Sequence, residues 1–242
     1  MPLNSVLCQP LKTQYAIYRE RFSNVLDIGS PNGLIEDLLI GECFGARVAY
    51  ASVYGAAMAS EVTHVFGALG TRFVLQTGCC GAWTTTSQPG DLYIPTTAFC
   101  GEGAAQYYTE TSTVNATVSL DYLRESVEGV TCHRGGIYTT AALFAEGRTE
   151  IEQWATDGWQ AVDMETATTF AVAEHFGMDS AGLLYVFDNP RRQADITMND
   201  EDLSMRRKRG NSTMIEASFR IVKQYLETRK QTHDDGRSPC PG

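Results

Sequence analysis

Short apolar segments with the character of buried strands alternate along this chain with longer segments of helical periodicity. The run RFVLQT, residues 72–77, is apolar on both faces, which is typical of a central strand covered by helices on both sides. It follows residues 56–69, whose apolar side chains recur at helical spacing and which end at Gly70, a residue suited to a helix C-cap. Because strands and helices alternate throughout, we predict an α/β fold, a single domain with a central mixed β-sheet flanked by helices.

The same patterns place the remaining elements. They predict further strands at 24–29, 46–53, 91–99 and 180–187. They predict further helices at 119–127, 149–156, 167–177 and 200–226, the last one interrupted at Gly210. We expect the domain to occupy residues 1–228, and the polar segment 229–242 to be a disordered C-terminal tail.

The charge and hydropathy of the sequence disfavour two kinds of binding partner, nucleic acids and membranes. The net charge is -10 and the pI is about 4.9, which disfavours nucleic acid, since phosphate contacts need clustered cations. The basic run 206–209 follows an acidic stretch and is interpreted as a solvated helix face. No apolar stretch reaches the roughly 18 residues of a membrane span, and the N-terminus lacks the pattern of a signal peptide. We therefore expect no membrane association and a cytoplasmic location.

Cysteine and histidine usage disfavours metal chemistry. The seven cysteines include no CxxC pair, and none of the four histidines has zinc-site spacing. We expect reduced thiols, no metal and no cofactor. The adjacent Cys79 and Cys80 in FVLQTGCCGAW, residues 73–83, could mark a metal or redox site or a tight turn. We interpret them as a turn at a ligand pocket, in which Gly78, Cys79 and Gly81 allow close approach of the backbone to a ligand; a plain strand-to-helix turn is the alternative.

Four segments, in order, resemble the nucleoside phosphorylase and nucleosidase superfamily, which includes purine nucleoside phosphorylase, uridine phosphorylase and methylthioadenosine nucleosidase. They are VLQTGCCGA, PGDLYIP followed by GEGAAQYY, GGIYTTAALFAE and AVDMETATTFAVAEHFG. The last of these is similar to the family signature VDMEAAAxFAVAxxxG. The resemblance covers roughly residues 24–226 and implies a nucleoside phosphorylase-like fold.

The resemblance also implies roles for individual residues. Met164 would lie against the ribose, and the Glu165 carboxylate would accept hydrogen bonds from the ribose hydroxyls. Asp188 would be the acid that protonates the purine leaving group, which requires a raised pKa; an ordinary Asp-Asn-Pro turn is the alternative. Asp163 is expected to be structural. Aromatic residues at strand ends, namely Tyr107, Tyr108, Tyr138 and Phe144, are candidates for the wall of the base pocket.

The chain departs from the family pattern where phosphate would bind. Gln76 and Gly33 stand at positions where family phosphorylases carry arginines, and the stretch between Ile40 and Val48 offers only Arg47. Losing three charged hydrogen bonds, each worth about 1.5–3 kcal/mol, should abolish useful phosphate affinity. Ala141 stands where the family usually has Asp, and Phe187 where it usually has Ser.

Three functions follow from this pattern. The favoured one is an enzyme, a nucleosidase that cleaves the N-glycosidic bond of a purine-like nucleoside with water, positioned by one of three acids, Glu61, Glu102 or Glu146. A phosphate-dependent nucleoside phosphorylase that uses other cations, such as Arg47 or Arg191, is the second. The third is a repurposed or non-catalytic nucleoside-binding member. The resemblance further implies a homo-oligomer built from a dimer unit.

Overall fold

The computed structural model describes residues 3–7, 11–29, 35–123, 126–127, 129–192 and 201–234. The strands are β1 (Leu3–Leu7), β2 (Ser23–Asp27), β3 (Leu38–Cys43), β4 (Ala46–Val53), β5 (Phe73–Ala82), β6 (Leu92–Gly101), β7 (Thr113–Asn115), β8 (Ser126–Val127), β9 (Val130–Thr140), β10 (Ala161–Asp163) and β11 (Asp179–Asp188). The helices are α1 (Leu11–Arg21), α2 (Gly55–Ala68), α3 (Arg148–Thr156), α4 (Thr166–His175) and α5 (Glu201–Asp234).

The strands form one connected mixed sheet in the order β10-β9-β6-β11-β5-β1-β4-β3-β2. The central strands β4, β1, β5 and β11 run parallel to one another. The hairpin β3–β4 and the pair β6–β11 are antiparallel. Strand β10 pairs with β5 as well as with β9, so β10, β9, β6, β11 and β5 close into a ring. The predicted α/β fold with a mixed sheet is confirmed.

Helices cover both faces of the central sheet. Along β5, Phe73 and Leu75 belong to the apolar cluster that α1 and α5 complete, with Tyr18 and Phe219 among its members. Val74, between them, joins the cluster on the α2 side. Alternate residues of one strand thus enter different cores, which explains why the sequence of β5 is apolar on both faces.

The predicted turn at Gly78–Gly81 is wrong. Strand β5 continues through TGCCGA to Ala82, and Gly78 has φ 159°, an extended conformation. Hydrogen bonds with neighbouring strands explain the extension, since β11 pairs with β5 as far as Gly81 and β10 pairs with Gly81 and Ala82. Glycine lowers the intrinsic strand propensity, but partners from distant parts of the sequence outweigh it here.

The predicted helix at 119–127 is also wrong. Within the described residues of this segment, a single 3₁₀ turn at Asp121–Leu123 is followed by the short strand β8, which pairs with β9. The apolar side chains that suggested a helical face, Leu120, Leu123 and Val127, are buried in the core beside α5. These residues are therefore buried as the helix prediction implied, but by a 3₁₀ turn and a short strand in place of an α-helix.

The closing helix is longer and more regular than predicted. Helix α5 passes through Gly210 without a break and continues to Asp234. A Cβ at Gly210 would lie 2.6 Å from the Gly90 carbonyl oxygen, so glycine serves close approach here and does not end the helix. Residues 229–234 of the expected tail lie in this helix; residues 235–242 lie outside the described residues, and their expected disorder stays a prediction. None of the helices in the described ranges has both the length and the apolar character needed to cross a bilayer.

The N-terminal elements were not predicted. Strand β1 lies between β5 and β4 in the centre of the sheet, with Leu3–Val6 in register with Val74–Thr77. Helix α1 follows it and buries Tyr18 against Tyr50 of β4, with stacked rings 4.3 Å apart. The other predicted elements are confirmed, including β4 and α3. Gly70 and Gly177 follow helices α2 and α4 with φ of 81° and 64°, as expected for C-cap glycines.

Candidate active site

Two acidic strand ends meet beside β5. Strand β10 ends at Asp163 and strand β11 ends at Asp188. In their ladders, Val162 of β10 and Asp188 of β11 are both in register with Gly81. The turn that carries Met164 and Glu165 follows β10 directly. Asp163, Met164, Glu165 and Asp188 therefore lie together where β10 and β11 end.

Glu165 is bound by the backbone at the start of another helix. Its side chain is only 2% exposed, and Oε1 accepts a hydrogen bond of 2.6 Å from the Gly55 N–H. Gly55 is the first residue of α2 and has φ 77°, a left-handed conformation that favours glycine. The positive end of the α2 dipole stabilises negative charge at this point. Met164 lies beside Glu165 and is half-buried.

Asp163 holds the junction between β10 and α4. Its carboxylate accepts hydrogen bonds from the Thr139 hydroxyl at 2.8 Å, and from both the backbone N–H and the hydroxyl of Thr166. Burial raises the pKa of Asp163, and the hydrogen bonds from Thr166 and Thr139 oppose that rise. Asp163 thus binds the first residue of α4 and the end of β9, which supports the expected structural role.

Asp188 lies at a β-bulge. The register of β11 against β5 passes from Val186–Cys80 directly to Asp188–Gly81, so Phe187 is an extra residue on β11. The Asp188 side chain is buried, at 6% exposure. A Cβ at Gly81 would lie 3.0 Å from Asp188 Oδ1. Glycine at 81 therefore makes room for the Asp188 carboxyl.

Among the three acids proposed to position water, the structure brings Glu146 to the site. Burial, together with the nearby charges of Asp188 and Asp163, raises the pKa of Glu146 to about 8. Glu102 instead accepts hydrogen bonds from the N–H groups of Ala104 and Ala105 and caps its own turn. Glu61 is exposed on α2. Glu146 is thus the one of the three that interacts with both acidic strand ends.

The predicted aromatic wall is dispersed in this single chain. Phe144 and Tyr107 are 92% and 79% exposed. Tyr138 stacks between Phe99 and Trp154 at centroid distances of 4.8 and 4.2 Å. Tyr108 contacts the rings of two histidines, His64 and His175. A role in base binding remains a prediction for each of the four.

The adjacent cysteines face opposite sides of β5, and a ligand contact of Cys79 stays a prediction. Cys79 packs against the core on the α5 side of β5, whereas Cys80 is buried in the opposite core. Neither forms a disulfide. In the described part of the chain, no three histidine, cysteine or acidic side chains are grouped as a metal site would require.

Most of the chain matches the model of one protein family. Residues 28–227 match the family model described as "Phosphorylase superfamily". The chain belongs to the phosphorylase superfamily. The candidate site residues Met164, Glu165 and Asp188 all lie within the matched range.

Several phosphorylases of the superfamily are similar in sequence to part of this chain. A guanosine phosphorylase of Halorubrum lacusprofundi is 29% identical over 126 residues, which are 50% of this chain and 52% of the relative. A DeoD-type purine nucleoside phosphorylase of Geobacillus sp. is 25% identical over 163 residues, 65% of this chain and 66% of the relative. A similar enzyme of Clostridium beijerinckii is 24% identical, with 50% and 53% covered. The chain spans about half to two thirds of the length of these curated relatives.

The superfamily fold is also evident from solved structures. A uridine phosphorylase from Vibrio fischeri, crystallised with 6-hydroxy-1-naphthoic acid, superposes with a TM-score of 0.74 at 18% identity. The superposition covers 94% of this chain and 92% of the other. A second structure of uridine phosphorylase from the same organism gives a TM-score of 0.69 at 20% identity, covering 89% and 91%. At these identities the likeness demonstrates the nucleoside phosphorylase-like fold.

The resemblance places Gln76 at a position where family phosphorylases carry an arginine. Its side chain is 0% exposed, and its Oε1 accepts a hydrogen bond of 2.8 Å from the Thr169 hydroxyl of α4. Its Nε2 donates to the Thr77 carbonyl at 3.2 Å. Gln76 therefore links β5 to α4 in the interior. The second such position, Gly33, lies outside the described residues.

The arginines proposed as substitutes have other surroundings. Arg47 is opposite Glu42 in the β3–β4 hairpin, six residues before Val53, and so about 20 Å from the end of β4 that leads to Gly55. Arg191 donates from Nε and Nη2 to the Glu152 carboxylate at 3.2 and 2.9 Å, a bidentate ion pair. Arg191 is therefore held by α3, and Arg47 lies at the far end of β4 from Gly55.

Gly55 was not singled out from the sequence. The available signal was a glycine between the predicted strand at 46–53 and the predicted helix at 56–69, which marks a strand-to-helix junction. No sequence pattern could show that its N–H would meet a carboxylate 110 residues away.

Proposed function

We propose that this superfamily member cleaves the N-glycosidic bond of a purine-like nucleoside, and that water is the nucleophile. The burial of Gln76 is the observation that supports water, and not phosphate, as the nucleophile. Its polar atoms are bound to Thr169 and Thr77 in the interior, so a neutral, fully buried group replaces a cation that family phosphorylases direct at phosphate. Phosphate needs such charge-assisted hydrogen bonds.

Glu165 would hold the sugar. A buried carboxylate, fixed by the Gly55 N–H, can accept hydrogen bonds from two vicinal ribose hydroxyls. Such bonds strengthen as the sugar gains positive charge in the transition state, so they favour bond breaking over simple binding. Met164, half-buried beside it, would pack against the sugar ring.

Asp188 and Glu146 would donate and accept the protons that the reaction moves. Asp188 donates a proton to the ring nitrogen of the base while the bond between C1′ and the base breaks. Water then adds to C1′ of the oxocarbenium-like sugar, and the proton it loses returns to the Asp188–Glu146 pair. Burial, with the charges of Asp188 and Asp163, holds the pKa of Glu146 near 8, so Glu146 keeps a proton at neutral pH and supplies it to the pair. Products are the free base and ribose, and both carboxyls end as they began.

A phosphorylase remains the second candidate, because the named relatives are a guanosine phosphorylase and purine nucleoside phosphorylases. The two mechanisms differ in the sugar product, ribose or ribose 1-phosphate. A panel of purine and pyrimidine nucleosides should be incubated with the protein in phosphate-free buffer and in buffer with phosphate, and the base and sugar products separated.

We expect base release at the same rate in both buffers, with ribose as the product. A rate that depends strongly on phosphate, with ribose 1-phosphate formed, would establish the phosphorylase instead. Nucleoside binding without release of any base in either buffer would favour the third function, a repurposed binding protein.

A further inference from the structure

The bulge that places Asp188 opposite Gly81 is contacted by helix α5. Phe187 is the extra residue of β11, and a residue in a bulge falls out of the regular ladder. Its carbonyl then needs a donor from elsewhere, since buried backbone groups are paired almost without exception. Arg207 provides that donor, because its Nε–H binds the Phe187 oxygen at 2.6 Å.

Arg207 also stacks on the side chain of the same residue. The guanidinium carbon lies 3.7 Å from the centroid of the Phe187 ring. A planar guanidinium can stack on a ring and donate a hydrogen bond at its edge at the same time, which an ammonium group cannot do. Arg207 thus holds both the backbone and the ring of the bulged residue.

This contact departs from the expectation for the basic run 206–209, which was interpreted as solvated. Arg207 is half-buried, while its neighbours Arg206 and Lys208 are exposed. Arg206 donates to the side chain of Gln88 at 2.9 Å. The two arginines lie on the same helix and carry the same charge, but Arg207 contacts the bulge at Phe187 and Arg206 contacts Gln88.

We propose that Arg207 is a positioning residue for Asp188, acting through the bulge at Phe187. This inference rests on the proposed role of Asp188 as the acid. The hydrogen bond and the ring stacking from Arg207 to Phe187 are called the clamp below. Without them, Phe187 can take the register opposite Gly81, and the Asp188 carboxyl leaves the space that Gly81 provides. A displacement of about 1 Å at a reacting group can cost on the order of a hundredfold in rate.

The kinetic test uses two substrates that differ in their need for an acid. We expect Arg207→Gln to lower kcat for a natural nucleoside by roughly 10- to 100-fold with little change in KM. For a nitrophenyl riboside, whose leaving group needs no proton, the rate should stay within about threefold. Arg206→Gln is the matched control and should behave as the wild type on both substrates. Equal losses on both substrates would mean that Arg207 only supports the fold, and would overturn the proposal.

Arg207→Lys separates the clamp from its charge. Lysine keeps the positive charge but lacks the planar group that stacks and donates together, so we expect it to leave most of the defect in place. Full activity in this variant would overturn the clamp. Phe187→Leu removes the stacked ring but keeps the carbonyl, and should show a smaller loss with the same substrate dependence.

Crystal structures of the Arg207→Gln and Arg206→Gln variants test the inference without any turnover. We expect Asp188 to lose its position opposite Gly81 in the first variant and to keep it in the second. An unchanged bulge in both would reject the positioning role, whether or not the protein proves to be a nucleosidase. A displaced Asp188 in a protein that cleaves no nucleoside would instead reject the proposed function and leave the clamp established. Should Arg207→Gln not fold, Arg207→Lys and Phe187→Leu serve in the same comparison.

Discussion

The Glu165 carboxylate accepts a 2.6 Å hydrogen bond from the backbone N–H of Gly55, a residue 110 positions earlier in the chain. This bond joins the residue before α4 to the first residue of α2. It fixes a buried negative charge at the positive end of a helix, where such a charge is stabilised. The contact defines the ribose end of the proposed site.

Glu165→Gln should therefore lower turnover while leaving the fold intact. The amide oxygen can still accept from Gly55, but the charged hydrogen bonds to the ribose hydroxyls are lost. At about 1.5–3 kcal/mol each, one such loss corresponds to roughly a 10- to 150-fold fall in kcat/KM. Glu174→Gln, at an exposed position on α4, is the control. Wild-type kinetics in the Glu165 variant would remove this residue from ribose binding.

Asp188→Asn should keep nucleoside binding and lose about 10²–10⁴-fold in turnover, the usual scale for losing a general acid. Asparagine is nearly isosteric and can still hydrogen-bond a ring nitrogen, but it has no acidic proton to deliver. The loss should shrink for a nitrophenyl riboside. Asp157→Asn, at an exposed position, is the control. Near-wild-type rates of the Asp188 variant on both substrates would instead support the simple Asp-Asn-Pro turn.

Glu146→Gln should stabilise the protein increasingly as the pH rises. Burial raises the pKa of Glu146 from 4.5 to about 8 in the folded protein. Between these values the folded chain retains a proton that the unfolded chain has lost, so the wild type loses stability as pH increases through this window. Glutamine carries no charge at any of these pH values and avoids that loss.

Scanning calorimetry at pH 5, 7 and 8.5 measures the effect. The difference in Tm between Glu146→Gln and the wild type should be smallest at pH 5 and largest at pH 8.5. Glu150→Gln, at an exposed position on α3, should show no such trend. A difference in Tm that is constant across this range would contradict the raised pKa.

Gln76→Leu should lower the free energy of unfolding by about 1–3 kcal/mol. Leucine fills a similar volume but leaves the buried Thr169 hydroxyl without its 2.8 Å acceptor, and an unsatisfied buried polar group carries this cost. Urea unfolding of this variant and of Gln153→Leu, which changes an exposed glutamine of α3, provides the comparison. If Gln76→Leu unfolds at the wild-type urea concentration, the link between β5 and α4 contributes little.

Local sequence patterns were sufficient for several elements of the fold. The eight-residue strand β4 and the amphipathic helix α3 were predicted at or within one residue of their observed bounds. Glycines after α2 and α4 marked the helix ends correctly, because a left-handed φ after a helix is a property of the local backbone. The signature around Met164 and Glu165 likewise identified the family from adjacent residues.

The tertiary structure decided what depends on partners far apart in the chain. Strand β5 runs through Gly78 because β11 and β10 supply hydrogen bonds, although glycine by itself suggested a turn. The nearness of Glu146 to Asp163 and Asp188 is likewise a property of the folded chain, because these residues are separated in the sequence. The sequence by itself thus determined the fold class, the family and the residue types at the strand ends. Only the tertiary structure decided which of these residues meet, because burial, register and charge proximity arise from contacts that local propensity does not encode.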